Sequence, residues 1–303
     1  MADLQSRPRR EVDFTLECSG NHGPPFFTSG IGNARWSGAS LAAILRRAAP
    51  KHDGVEVVFS GADQGLVAVR DNSGVTGPPD KTKEDADGNL DLLGIEEQFA
   101  RSMSLAEAMQ PDNLLCYEMN GQPLPADHGY PLRLIAPGWY GVANVKWLTR
   151  IELRDGRYAG RFMARDYVTI REEQVSGRTV WTFTTVGQTR LKSAPARAVR
   201  RGSQHTVEGA AWGGAVSRVE VQIDDGPWQR ARIRRKRSQG DKEFSWSFWT
   251  FDWGTPAAGT HHISSRVFGD DGDVQPAPDD PYLASRRTYW ENNGQVTRTV
   301  RIA

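Results

Sequence analysis

The segment Asp13-Phe-Thr-Leu-Glu-Cys18-Ser-Gly-Asn21 decides how the first part of this chain folds. Polar and apolar residues alternate from Asp13 to Glu17, as they do in a half-buried strand, and Ser-Gly-Asn then ends the strand with turn residues. Cys18 is therefore expected at a strand end, held firmly and open on one side. The residues alone leave two interpretations of Cys18 open: a buried structural cysteine that behaves as a small apolar residue, or a thiolate presented to a metal.

The composition predicts a soluble globular protein. The 303 residues include 38 basic and 37 acidic side chains, so the net charge of +1 provides no long-range field for nucleic acid or for an acidic membrane. No apolar run approaches the roughly 18 residues that a membrane span needs. Only Cys18 and Cys116 are present, which excludes a disulfide framework, and Cys116 lies in an apolar strand typical of a core.

The first part of the chain, residues 1–190, is predicted to be a mixed α and β domain. Helices are expected over 39–49, which ends at Pro50, and over 104–109, where Ser104 is a plausible N-cap with Glu107 three residues on. A loop is expected over 61–65 and an exposed loop near the pocket mouth over 71–93, which is rich in Gly, Pro, Asp and Lys. The predicted strands are 54–60, 114–119 with an Asn-Gly turn after it, 131–136 and 145–153.

The second part, residues 191–303, has a different sequence pattern. Alternating segments such as Arg218-Val-Glu-Val-Gln-Ile-Asp224 recur between turns, and no helical pattern is convincing. Short strands at this spacing predict an immunoglobulin-like β-sandwich. The fold class is therefore α+β, with a mixed α/β domain followed by an all-β domain.

Several motifs, in order along the chain, resemble the sulfite oxidase family of molybdenum enzymes. The resemblance implies that Cys18 is the single protein thiolate on a molybdenum carried by molybdopterin, and that the chemistry is oxygen-atom transfer. Segments around Trp212, Trp228 and Trp290 are similar to the carboxy-terminal dimerisation domain of the same family, which implies a homodimer. The motifs that carry the first resemblance are Glu17-Cys-Ser-Gly-Asn21, Gly30-Ile-Gly-Asn-Ala-Arg-Trp-Ser-Gly38, Tyr117-Glu-Met-Asn-Gly121, Asp127-His-Gly-Tyr-Pro-Leu-Arg133, Pro137-Gly-Trp-Tyr-Gly141 and Asn144-Val-Lys-Trp-Leu148.

The resemblance also assigns individual residues to the cofactor. His128 and Arg133 match the pair that holds the pterin and its phosphate, and a guanidinium suits this because its fork meets two phosphate oxygens at once. Lys146 matches another phosphate and pterin contact, and Asp63 a pterin contact. Tyr167 resembles the active-site tyrosine that hydrogen-bonds near the substrate.

Substrate recognition is expected to involve a small oxyanion, because family members place several arginines around one. Arg218 matches one of these arginines, whereas Gly23 stands where a basic residue is common. The adjacent His22 is expected to supply a weaker, pH-dependent charge. Family members usually carry a longer leading region with another arginine, so either this sequence is part of a longer protein, which we expect, or its pocket is built with less protein than usual.

These features predict an enzyme, a molybdopterin-dependent oxidoreductase that oxidises sulfite or a related sulfur oxyanion. It would pass electrons to a separate carrier such as a cytochrome c. Two alternatives stay open: a reductase for nitrate or sulfoxides that uses the same cofactor, and a non-catalytic dimeric relative. No signal peptide is visible, since Arg7-Pro-Arg-Arg10 is a basic turn without an apolar core. Both the periplasm and the cytoplasm of a bacterial-type cell are therefore possible compartments.

Overall fold

The structure, a computed structural model, describes residues 1–70, 92–234 and 244–303. Strands dominate these ranges, and the helices are short. The helices are α1 (Ala2–Gln5), α2 (Leu41–Arg47), α3 (Leu105–Ala108), α4 (Arg161–Ala164) and α5 (Pro281–Ala284), with 3-10 turns at Ala126–His128 and Gly141–Ala143. The strands are β1 (Arg9–Glu17), β2 (Ile31–Ser40), β3 (Glu56–Arg70), β4 (Leu92–Ser104), β5 (Leu114–Met119), β6 (Gln122–Pro123), β7 (Arg133–Ile135), β8 (Leu148–Arg154), β9 (Val168–Val175), β10 (Arg178–Thr185), β11 (Lys192–Arg201), β12 (Gln204–Trp212), β13 (Val216–Ile223), β14 (Gln229–Arg230), β15 (Arg232–Arg234), β16 (Ser247–Gly254), β17 (Gly259–Gly269) and β18 (Val296–Ile302).

The first sheet carries the strand that leads to Cys18. It has the order β1-β2-β5-β6, with β7 paired to β5, and its inner face buries residues such as Phe14, Trp36 and Leu114. The predicted strand 114–119 is confirmed, and the Asn120-Gly121 turn after it has positive φ at both residues, which joins β5 to β6 as a two-residue hairpin.

The second sheet, with the order β4-β3-β8, packs with α2 and α3 over a separate core. Ser104 caps α3 and Glu107 completes a capping box, as predicted. The predicted loop at 61–65 is wrong, because β3 continues through it and absorbs the extra residues as a register shift between Ser60 and Gln64. Of the loop predicted at 71–93, residues 71–91 lie outside the described ranges, while Leu92 and Leu93 belong to β4.

The second domain is the predicted β-sandwich. One sheet has the order β11-β12-β16-β15 and the other β14-β13-β17-β18, and Val207, Trp249 and Val267 are fully buried between them. In the described part of the chain, no helix is long and apolar enough to cross a membrane.

A two-stranded sheet, β9-β10, connects the two domains. Tyr167 directly precedes β9, and β11 begins at Lys192, which is almost fully buried against the first domain. The end of β1 and the start of β11 therefore meet at the boundary between the domains, and Cys18 lies beside this meeting point.

Candidate functional site

Cys18 begins a tight turn at the end of β1. Its backbone N–H donates to Gly30 O at 2.8 Å, and its own carbonyl accepts from the Asn21 N–H at 2.9 Å. Gly30 lets the chain pass close to this turn, because a Cβ there would displace the Phe27 ring and lie 3.2 Å from the Cys18 Cβ. The turn thus holds a free, partly exposed thiol in a defined position.

Cys18 lines a cavity of about 660 Å³ in the first domain. Its wall is mainly apolar and includes Leu16, Phe99 and Val142. The structure brings six of the eight predicted site residues together around this cavity, which we call the Cys18 pocket: Cys18, Asp63, His128, Arg133, Lys146 and Tyr167.

Arg133 places a buried positive charge in the wall of the Cys18 pocket. The residue is 4% exposed, and its guanidinium donates to His128 O at 2.9 Å and to Asn144 O at 3.0 Å and lies 4.9 Å from the centre of the Trp36 ring. Burial lowers the pKa of Arg133 to about 10, so the side chain remains a cation at neutral pH. Its Nε is buried without a hydrogen-bond partner among the described residues. Arg133 therefore organises two backbone segments, and its Nε–H is a donor that no described residue uses.

Lys146, Asp63 and His128 supply further polar groups. The Lys146 ammonium donates to Asp127 O at 2.9 Å and lies 4.1 Å from the centre of the Trp147 ring, so it is fixed rather than extended into solvent. Asp63 Oδ1 is buried and has no hydrogen-bond partner in the described part of the chain. His128 is exposed at the rim.

Tyr167 comes from the connection between the domains. Its ring packs against Trp290, with 4.8 Å between the ring centres. Burial raises the pKa of Tyr167, and the nearby Cys18 adds to the increase, so the phenol is protonated at neutral pH. The hydroxyl can therefore donate a hydrogen bond within the pocket.

These side chains fit a molybdopterin cofactor. The Cys18 pocket combines a thiol, an apolar wall, a buried acceptor on Asp63 and a buried donor on Arg133 that nothing in the described chain satisfies. Buried polar groups are rarely left without partners, and a pterin with a phosphate tail offers both the donors and the acceptors that are missing here. The cations Arg133 and Lys146 match the phosphate, and a thiolate is the soft ligand that a redox metal needs.

The structure does not bring His22 and Arg218 into the Cys18 pocket. Arg218 lies on β13, where its Nε is 3.1 Å from Glu220 and its guanidinium is 3.8 Å from the centre of the Phe268 ring. An ion pair and an aromatic ring within the sandwich thus occupy this side chain, and its position gives the predicted anion contact no support.

His22 faces a different cavity, together with Arg286 and Arg298. Burial, and then the positive charges of Lys192 and Arg298, lower the pKa of His22 to about 4. The weaker, pH-dependent charge expected of His22 therefore lies outside the Cys18 pocket, and its lowered pKa confines that charge to acidic pH. Its Nε2 lies 3.3 Å from Arg298 Nη2.

The sequence reasoning missed the contacts that hold the Cys18 turn from the second domain. Lys192 and Trp212 reach Glu17, the Glu291 N–H donates to Ser19 O at 2.7 Å, and Asn292 Nδ2 donates to His22 O at 2.8 Å. The sequence offered one signal, Lys192 at the start of what becomes β11. A lysine at a strand start is too common to identify a site.

Comparisons with known proteins give a consistent picture. Residues 1–162 match the family model for an oxidoreductase molybdopterin binding domain, and residues 187–292 match a Mo-co oxidoreductase dimerisation domain. Mitochondrial sulfite oxidases of Mus musculus and Homo sapiens are each 31% identical over 301 residues, which cover 90% of this chain and 50% of theirs. The chain thus spans about half the length of these relatives.

Two further relatives extend the comparison. Nitrate reductase [NADH] 1 of Arabidopsis thaliana is 26% identical over 285 residues, which cover 81% of this chain and 28% of that protein. The crystal structure of the sulfane dehydrogenase SoxCD from Paracoccus pantotrophus superposes with a TM-score of 0.76 at 26% identity, covering 99% of this chain and 71% of that chain.

Proposed function

Because this chain belongs to the sulfite oxidase family of molybdopterin-binding oxidoreductases, we propose that it oxidises sulfite or a related sulfur compound with a molybdenum cofactor in the Cys18 pocket. The observation that carries this proposal is the convergence of six side chains on one cavity from five separate segments of the sequence. When bound, the cofactor supplies two-electron oxygen-atom transfer.

The residues of the pocket have distinct tasks in this proposal. Cys18 gives the thiolate ligand to the metal. Arg133 and Lys146 would hold the phosphate, and the buried Asp63 Oδ1 would accept a hydrogen bond from the pterin. Tyr167, protonated and next to Cys18, donates a hydrogen bond to the substrate or to its product and so orients it.

A sulfur compound is the preferred substrate class because sulfite oxidases and a sulfane dehydrogenase are among the similar proteins. The dimerisation domain supports a homodimer, and we propose a separate one-electron carrier such as a cytochrome c as the acceptor. Nitrate is a second candidate substrate, with reaction in the reducing direction, because a nitrate reductase also matches over 81% of the chain.

The test uses the full chain matured in a host that makes molybdopterin. Molybdenum and pterin are measured per chain, and turnover is followed with sulfite, thiosulfate, nitrate and a sulfoxide, with cytochrome c or a dye as the electron partner. We expect about one molybdenum per chain and the highest turnover with sulfite or thiosulfate. Turnover with nitrate alone would establish the second candidate in its place, and a matured chain without molybdenum would refute both.

Cys18→Ser tests the proposed ligand in this experiment, and Cys116→Ser is its matched control. The substitution changes one atom of the proposed ligand, and Cys116→Ser changes the same atom at a fully buried position outside the Cys18 pocket. Loss of turnover with Cys18→Ser, together with turnover of at least half the wild-type value with Cys116→Ser, is the expected pattern.

A further inference from the structure

A buried ion pair joins the second domain to the strand that ends at Cys18. Lys192, the first residue of β11, is 1% exposed, and Glu17, the last residue of β1, is 0% exposed. Lys192 Nζ lies 2.7 Å from Glu17 Oε1. Among the ion pairs of the described residues, both partners are this deeply buried only here.

Both oxygens of the Glu17 carboxylate accept hydrogen bonds, and the donors come from the second domain and from the turn after Cys18. Oε1 accepts from Lys192 Nζ and from Asn21 Nδ2 at 2.8 Å, while Oε2 accepts from Trp212 Nε1 at 2.8 Å. Lys192 Nζ also donates to the carbonyl of Asn21 at 3.1 Å. The second domain therefore donates hydrogen bonds to residues 17 and 21, which lie on either side of Cys18 in the chain.

The same network reaches Cys18 through Gly30. Asn21 Oδ1 accepts from the Gly30 N–H at 3.1 Å, and the Gly30 carbonyl accepts from the Cys18 N–H at 2.8 Å. Hydrogen bonds through Asn21 and Gly30 therefore connect the Glu17 carboxylate to the backbone of Cys18. Two of the donors to that carboxylate, Lys192 and Trp212, lie more than 170 residues away in the sequence.

Stability alone does not explain a buried ion pair. Removing two charges from water costs free energy, and apolar residues of similar volume often replace such a pair without loss of stability. Directional hydrogen bonds to both carboxylate oxygens do something that apolar packing cannot do, since they select one orientation of the strand end.

We propose that Lys192 and Trp212 are positioning residues for Cys18, so that the second domain, besides its part in dimerisation, sets the direction of the metal-binding thiolate. The role of this thiolate as a metal ligand rests on the proposed function, but the position of the thiol itself can be measured in the chain without cofactor. A wild-type chain that lacks molybdenum would refute the proposed function and leave the measurement below unaffected.

The experiment measures the alkylation of Cys18 by iodoacetamide in the full chain prepared without cofactor, followed by mass spectrometry. Cys116 gives little background, because it is fully buried and burial raises the pKa of its thiol to about 11; Cys18→Ser measures that background. Lys192→Met and Trp212→Phe each remove one donor to Glu17. We expect both to raise the alkylation rate at least fivefold.

Two control variants remove a cation and an indole N–H that make no hydrogen bond to Glu17. Arg266→Met deletes a cation whose partner is Glu220, at 2.7 Å, and Trp249→Phe deletes an indole N–H that donates to Ser193 Oγ at 3.1 Å. Both controls are expected to stay within twofold of wild type. If Lys192→Met does not fold, the comparison of Trp212→Phe with Trp249→Phe decides the matter.

A second measurement uses the holoenzyme. Lys192→Met and Trp212→Phe should release molybdenum during dialysis faster than their two controls do, because a misdirected thiolate is a weaker ligand. Equal alkylation rates in Trp212→Phe and Trp249→Phe would overturn the inference. A rise of the same size in all four variants would also overturn it, since it would show general loosening of the second domain.

Discussion

The buried pair of Glu17 and Lys192 predicts a strong energetic coupling between the two domains. Lys192→Met leaves the carboxylate buried with two donors, Asn21 Nδ2 and Trp212 Nε1, in place of three. Removing one partner of a buried pair costs about 3–5 kcal/mol, and the two remaining donors place this substitution near 3 kcal/mol. Glu17→Gln turns an amide N–H₂ towards a buried donor and leaves the ammonium without its counterion, which we also expect to cost about 3 kcal/mol.

The double variant Glu17→Gln/Lys192→Met removes both charges together and keeps only the mismatch at the amide. Its expected cost is therefore about 1–2 kcal/mol, whereas the sum of the single variants is about 6 kcal/mol. The assay is urea unfolding of the full chain, with the free energy of unfolding compared at equal slope. The partly exposed pair of Glu220 and Arg266 is the control, with an expected coupling below about 1 kcal/mol. Additivity of Glu17→Gln and Lys192→Met within about 0.5 kcal/mol would refute the reasoning, because it would show that the two charges do not sense each other.

Three further predictions concern single residues. Cys18→Ser should leave a folded dimer and lower turnover at least about 100-fold, since changes of residues merely behind a metal ligand already cost 10–100-fold; a fully active, metal-loaded variant would show that the ligand was misassigned. His22 has a pKa near 4 in the folded chain and an ordinary value of 6.5, so the unfolded chain binds the extra proton and stability falls as the pH drops from about 6.5 to about 4. Allowing for solvent screening of the partly exposed ring, wild type should lose about 2 kcal/mol more than His22→Asn over this window, and parallel unfolding curves would contradict the assignment. Arg218→Gln should leave the KM for the oxidised substrate within about twofold and cost less than about 1 kcal/mol of stability, because the side chain pairs with Glu220 outside the Cys18 pocket; a tenfold rise in KM would place Arg218 at the substrate after all.

Local patterns predicted much of the first domain because its elements follow local rules. The capping box at Ser104 and Glu107 and the Asn120-Gly121 hairpin depend on neighbours within four residues, and both form as expected. The interruption at 61–65 misled the prediction for the same reason. Gly61 and Gly65 read locally as a loop, yet pairing with β4 and β8 holds the strand together across a bulge.

The candidate site also separates into residues that the sequence predicted correctly and residues whose surroundings it could not predict. Six residues predicted from motif resemblance meet at one cavity. Cys18 follows the end of β1, Arg133 begins β7, and Asp63 lies at the irregular stretch of β3. His22 and Arg218 lie outside that cavity, because a motif identifies a residue but not the neighbours that surround it. Burial beside Lys192 and Arg298 lowers the pKa of His22. Contacts with Glu220 and Phe268 fix the side chain of Arg218.

The support of Cys18 from the second domain shows most clearly why sequence alone was insufficient. Glu17 reads as the polar position of an alternating strand, and Lys192 reads as a charged residue at a strand start, so both are expected in water. Only the folded chain shows that each is buried by the other, together with Trp212. A buried charge is tolerated where a partner is already in place, and here the partner arrives only when the two domains dock. Docking of the domains and orientation of the thiol are therefore one event, which makes the sandwich part of the Cys18 site.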